Sequence, residues 1–287
     1  MRRQPGFLEW PGGKRGIRLE KFVVKYGGSI QKDEQTRDDL LEEIAYYAKL
    51  DGKWAVVHGG GSEISQWLAR VGHASDFKNG QRITDELTLA IAEMVLGGRV
   101  GKSIMRELEK QGAKAISISG EDHGLLLATP FDQGIYGHVG AVKTVDTSLI
   151  TLLWDAGYIP VIAPLGVDAE RNVYNINADV AAGHIAGALA ADILILATDV
   201  PGVKESPDSL YAIPELTVTA AKQMIKDGRA VGGMIPKLES AIQAMDGGVK
   251  TVVIASGKEQ GLIDQILRGQ RIGTRIVQDK EGSVHHA

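Results

Sequence analysis

The sequence predicts an α/β protein, a three-layer αβα sandwich around a mainly parallel central sheet. Two observations carry that expectation. Short β-branched runs recur along the chain, each followed by a stretch with helical spacing, and alternation of strand and helix is what parallel strands need for their crossovers. The runs are also apolar almost throughout instead of alternating, as in strands buried on both faces.

In chain order, the apolar run Phe22–Lys25 leads into an amphipathic stretch at Glu34–Lys49. Trp54–His58 leads to Glu63–Val71 and then to the long helical pattern Thr84–Lys110. Ala115–Ser119 precedes Thr147–Ala156, and Ile159–Ala163 precedes Ala178–Ala190. Ile193–Thr198 is followed by Ala220–Lys226 and Pro236–Met245, and Thr251–Ala255 is the last clear strand. The polar, turn-rich Gly166–Asn172 divides the chain into an N-terminal lobe, 21–172, and a C-terminal lobe, 173–277, where Val173–Ile176 resumes an extended pattern. Residues 1–20 form an N-terminal extension and 278–287 a polar, mobile tail, whose paired histidines His285 and His286 mark a solvated end.

Composition narrows the function classes. A net charge of −4 argues against a nucleic-acid protein, which carries a basic excess. With no cysteine, thiolate catalysis and cysteine metal sites are excluded. The N-terminus is interrupted by Pro5, Gly6, Pro11, Gly12 and Gly13 and lacks the apolar run of a signal peptide, and no stretch is long enough to span a bilayer. A cytoplasmic protein without membrane contact is expected. The 36 glycines against 9 prolines point to tight turns or close approaches of backbone to ligand.

Three segments could carry chemistry, each at a strand or helix end where open α/β sheets bind ligands. Lys25-Tyr26-Gly27-Gly28-Ser29 offers a cation and free backbone N–H groups to a phosphoryl group, although alone it also reads as a solvated lysine before a turn. His58-Gly59-Gly60-Gly61-Ser62-Glu63 joins a strand to a helix through three glycines, where one would suffice for a turn, so an anion at the helix N-terminus is favoured. Asn175-Ile176-Asn177-Ala178-Asp179 opens a helix. There Asp179 either caps or orients other polar groups, while Asn175 holds a carboxylate or amide. Gly97–Ser103 imitates a phosphate-binding loop, but Leu96 stands where its first glycine belongs and the segment lies inside a helical pattern. No dinucleotide fingerprint opens a strand–helix unit, and the histidines lack metal-ligand spacing, so no protein metal site is expected.

Taken together, VVKYGG, VHGGG, GQRITD, EMVLGGRVGK, ISGED, NINADVAAGHIA, LATDVPGV, GGMIPKL and IGTRIV resemble, in order, the amino acid kinase family over about Lys21–Val277, and within it the branch acting on N-acetyl-L-glutamate. The resemblance implies ATP-dependent phosphorylation of the side-chain carboxylate of that substrate, a step of arginine biosynthesis. It further implies that Lys25 and Lys237 flank the transferring phosphoryl group and that Asp179 positions them. Gly28 and Gly60 would donate N–H groups, Gly60, Gly61, Arg82 and Asn175 would bind the acyl amino acid, and Thr198, Asp199 and Gly202 would lie beside ATP. Mg²⁺ would arrive with the nucleotide. A homodimer is implied, with Met1–Glu20 too rich in glycine and proline for the helix that joins arginine-inhibited members into hexamers. The chain departs from the family pattern at Ser62, Gln81, Gly101 and His123. A sister kinase for an N-acylated aminoadipate, one methylene longer, and a non-catalytic effector-binding module on the same fold are the alternatives; Lys25, Asp179 and Lys237 speak against the module.

Overall fold

The computed structural model describes residues 20–27, 34–50 (34–38 by backbone alone), 52–74, 76–78, 81–206 and 208–279. In the first half of the chain, β1 (Lys21–Tyr26), α1 (Glu34–Ala48), β2 (Lys53–His58), α2 (Gly61–Arg70), β3 (Phe77–Lys78), β4 (Gln81–Arg82), α3 (Glu86–Glu93), α4 (Gly101–Lys110), β5 (Ala115–Ser119), β6 (Leu126–Pro130), β7 (Gly140–Val145) and α5 (Ser148–Asp155) follow one another. Next come β8 (Ile159–Ala163), β9 (Leu165–Val167), β10 (Val173–Asn175), α6 (Ala178–Ala188), β11 (Ile193–Thr198), β12 (Glu215–Thr217), α7 (Val218–Lys226), α8 (Met234–Asp246), β13 (Thr251–Ser256), α9 (Leu262–Leu267) and β14 (Thr274–Val277).

The central sheet runs β12-β14-β13-β11-β1-β2-β8-β5 and is parallel except where β14 pairs antiparallel with β13. Strands from the two halves of the chain meet at β1–β11, where Lys25 stands opposite Leu196 and Tyr26 opposite Ala197. Alternate residues of β1 feed two separate cores, as strand geometry requires. Phe22, Val24 and Tyr26 pack with α1, α2, α4 and α9, and Phe22 stacks on Trp54 with ring centroids 4.3 Å apart. Val23 faces the other way, among α5, α6, α7 and α8. Lys25 shares that second face, and so points at the helices that complete the site.

A smaller sheet, β10-β9-β6-β7, covers part of this second face, with Leu126, Ala128, Tyr174 and Ile176 buried in its core. The segment expected to divide the lobes is a hairpin: β9 and β10 pair antiparallel, Val167 with Val173 and Leu165 with Asn175. Of the expected helix Thr84–Lys110, Glu86–Lys110 is one continuous rod with a change of pitch inside it, since Met94–Val100 is π-helical between α3 and α4; Asp85 caps it and Thr84 bridges to Gly137 instead. Of the expected tail, Gln278 donates to the Met245 carbonyl and Asp279 accepts from Thr219, which ties both to helices. Residues 280–287, like 1–19, lie outside the described residues.

Candidate active site

The carboxyl ends of β1, β2 and β8 and the N-termini of α2 and α6 enclose a cleft of about 250 Å³ whose lining includes Lys25, Gly60, Gly61, Arg82, Asn175 and Asp179. This is where a parallel sheet places its ligands.

Asp179 is the electrostatic centre. Its side chain is only 8% exposed, and each carboxylate oxygen meets a different lysine at 2.9 Å, Lys25 at Oδ1 and Lys237 at Oδ2. Lys237 donates an aligned hydrogen bond, whereas the Lys25 contact is an ion pair without that alignment. Burial by itself would raise the Asp179 pKa, but Lys25 and Lys237 outweigh it and hold the carboxylate below its ordinary value. Two ammonium groups around one carboxylate leave a net positive charge in a buried place, which suits an incoming anion and not a neutral ligand.

Local structure explains why Asp179 is available for this. Asn177, not Asp179, caps α6, its side chain accepting from the N–H groups of Asp179 and Val180. The capping alternative for Asp179 is thereby answered, and its carboxylate is left to the lysines. Lys237 arrives on α8, which crosses α6 so closely that a Cβ on Gly183 would sit 2.5 Å from Ser240 Oγ and 2.6 Å from the Ser240 carbonyl. Ser240 Oγ in turn donates to the Asp179 carbonyl and locks the crossing.

The acyl-amino-acid side of the cleft is built around Arg82, which is 7% exposed. Its Nη2 donates to the Gly61 carbonyl at 2.6 Å and to Ser65 Oγ at 2.9 Å, and its guanidinium lies 4.5 Å from the centre of the Phe77 ring. Asn175 Nδ2 donates to Thr84 Oγ1 at 3.3 Å. Gly60 is held by packing, since a Cβ there would lie 2.6 Å from Leu96 Cδ2. Gln81 also lines the cleft.

The remaining expected residues stand elsewhere. Thr198 and Asp199 follow the Tyr26–Ala197 pair at the same end of the sheet but outside the cleft lining, and Thr198 Oγ1 donates to Asp199 Oδ1 at 3.1 Å. Gly202, at φ 153°, is buried against Thr274, whose Oγ1 would be 2.7 Å from an added Cβ; close packing accounts for that glycine. Gly28 lies outside the described residues. Sequence reasoning missed Phe77, Leu96, Asn177, Ser65 and Thr84 as parts of this site. The Asn79-Gly80 pair between β3 and β4 is a hairpin signal that could have brought Phe77 beside Arg82.

The model of the amino acid kinase family matches residues 20–256. An acetylglutamate kinase of Thermosynechococcus vestitus is 42% identical over 258 residues, covering 89% of this chain and 88% of that protein. One from Methanocaldococcus jannaschii is 41% identical over 273 residues, 90% of either chain. Among solved structures, an N-acetylglutamate synthase from Neisseria gonorrhoeae, complexed with coenzyme A and N-acetyl-glutamate, superposes with a TM-score of 0.79 at 25% identity. That match covers 91% of this chain, which spans 60% of the synthase chain.

Proposed function

This chain belongs to the amino acid kinase family, and on that premise we infer that it transfers the γ-phosphoryl group of ATP to the side-chain carboxylate of N-acetyl-L-glutamate. The observation that carries this reading is the Lys25–Asp179–Lys237 bridge at the edge of a cleft lined by Arg82 and Asn175.

A carboxylate is already ionised and needs no general base. The difficulty is to bring two anions together and to stabilise charge on the phosphoryl group in flight. Lys25 and Lys237 would flank that group, with Asp179 keeping the two ammonium groups in place. Gly28 and Gly60 would donate N–H groups to phosphoryl or acyl oxygens. Arg82 would pair with a substrate carboxylate, and Asn175 would hold the amide or carboxylate beside it. One carboxylate oxygen bonds to the γ-phosphorus as the bond to the bridging oxygen breaks, yielding an acyl phosphate and ADP. Thr198, Asp199 and Gly202 would lie along the nucleotide. Mg²⁺ would enter on the ATP phosphates.

The acyl amino acid would belong to the lobe 21–172 and the nucleotide to 173–277, in a cytoplasmic enzyme of arginine biosynthesis. Phe77, Ile83, Leu87, Met94 and Ile135, apolar and solvent-exposed in the first half of the chain, favour a homodimer through the N-terminal lobe.

The test follows ADP release from Mg·ATP with N-acetyl-L-glutamate, free glutamate, aspartate and N-acetyl-aminoadipate offered separately, with hydroxylamine trapping the acyl phosphate. Turnover with N-acetyl-L-glutamate, exceeding the longer acid by the roughly tenfold or more that a methylene can command, is expected. Preference for the longer acid would reassign the substrate, and turnover with none of the four would leave an effector-binding module.

A further inference from the structure

We propose that His58 is a positioning residue of the phosphoryl-transfer site: from the opposite face of the sheet it anchors the Gly59 carbonyl and so aims the Gly60 N–H toward the Lys25 face. The proposal rests on the kinase reading above, in which Gly60 is a donor to the reacting oxygens.

The sheet register sets the geometry. Lys25 stands opposite Val57 and Tyr26 opposite His58, so Lys25 and His58 project from opposite faces. His58 is 0% exposed, and its Nδ1 lies 3.0 Å from the Gly59 carbonyl oxygen. A carbonyl only accepts, so that contact requires the hydrogen on Nδ1 and leaves Nε2 as a bare acceptor. Burial lowers the His58 pKa to about 4, which keeps the ring neutral.

The peptide between Gly59 and Gly60 is trans, as are the others described, so its C=O and N–H point in opposite directions. Drawing the carbonyl to the His58 face turns the N–H to the Lys25 face. Among the described residues no acceptor pairs with that N–H, and Gly60 lines the cleft. The other side of the turn is pinned as well, Gly59 N donating to the Tyr26 carbonyl at 3.1 Å. On its far edge the ring meets Gly101. A Cβ there would lie 3.1 Å from His58 Nε2 and 2.4 Å from Ser117 Oγ, two buried polar atoms without a hydrogen-bond partner among the described residues. Among the described residues the ring's one hydrogen bond is therefore the one that sets the loop.

Two measurements on the full chain test this. Histidine ¹⁵N correlation spectra at neutral pH, with His58 assigned by its loss in His58→Asn, should show a neutral ring protonated at Nδ1. A proton on Nε2, or a charged ring, overturns the proposal. Kinetically, His58→Gln, which cannot place its amide at the Nδ1 position, should lose about a hundredfold in kcat, the scale of one lost transition-state donor. His58→Asn, whose amide reaches that position, should recover at least tenfold of the loss, with KM and Tm alike in the two variants. Equal kcat in folded Gln and Asn variants contradicts the proposal. Should the wild-type chain turn over none of the acids, the kinase reading fails by itself, and the tautomer still decides whether His58 anchors the loop.

Discussion

Asp179 carries more of the site than either lysine, because among the described residues it is the one carboxylate that touches both. Removing its charge leaves two buried ammonium groups facing one another, and breaking a buried ion pair costs about 3–5 kcal/mol. Asp179→Asn should therefore lower kcat by about 10²–10³-fold and reduce stability by a few kcal/mol, read from ADP release and urea unfolding. The pH dependence has a definite sign. A carboxylate depressed on folding contributes fully above its unfolded pKa of about 3.9 and loses that contribution as pH falls through the lower folded value. Buried His58 acts earlier: stability is full above 6.5 and erodes as pH falls toward about 4, because the unfolded chain takes the proton first. Between those pH values wild type should lose more stability than His58→Asn, by about 1.4 kcal/mol for each pH unit. Lys25 and Asp179 were legible as candidates from lysine and glycine at a strand end and a carboxylate opening a helix. The role of Asn177 as the cap was not, since three capable polar residues stand within five positions.

Helix α8 reaches the site only because α6 lets it come close. Gly183 sits against Ser240, and Gly187 against Gly247, where an added Cβ would be 3.3 Å from the Gly247 Cα. Gly183→Ala should push the helices apart, destabilising by about 1–3 kcal/mol and separating Lys237 from Asp179, with kcat falling more than tenfold. Gly187→Ala, whose tightest contact is the looser 3.3 Å to Gly247 Cα, should cost less in both; equal effects would show that the crossing does not set the lysine. At this scale the sequence was legible where elements are long and apolar: Ala115–Ser119, Ile159–Ala163 and Ile193–Thr198 are strands with the expected bounds. It was silent where they are short or half-exposed, as in β7, or the six-residue α9. The π-helical turn was hidden because the apolar spacing continues through it; Gly97 and Gly98 are its only mark.

Across the whole molecule, one sheet joins both halves of the chain, so the pieces of the site come from segments more than 200 residues apart and meet at one end of that sheet. The strand-end glycines pointed to that end from local sequence alone. Lys237 entered through family resemblance, because its place depends on how α6 and α8 pack, which no local pattern encodes. A homodimer predicts a light-scattering mass twice the 30.7 kDa of the chain, and charging the exposed face with Leu87→Asp should shift it to one. The most direct test of the account is turnover by Lys25→Ala and Lys237→Ala with saturating Mg·ATP and N-acetyl-L-glutamate. Folded variants that each lose at least about a hundredfold in kcat are the result predicted. Unchanged turnover in both would contradict the claim that these two lysines stabilise the phosphoryl group in flight.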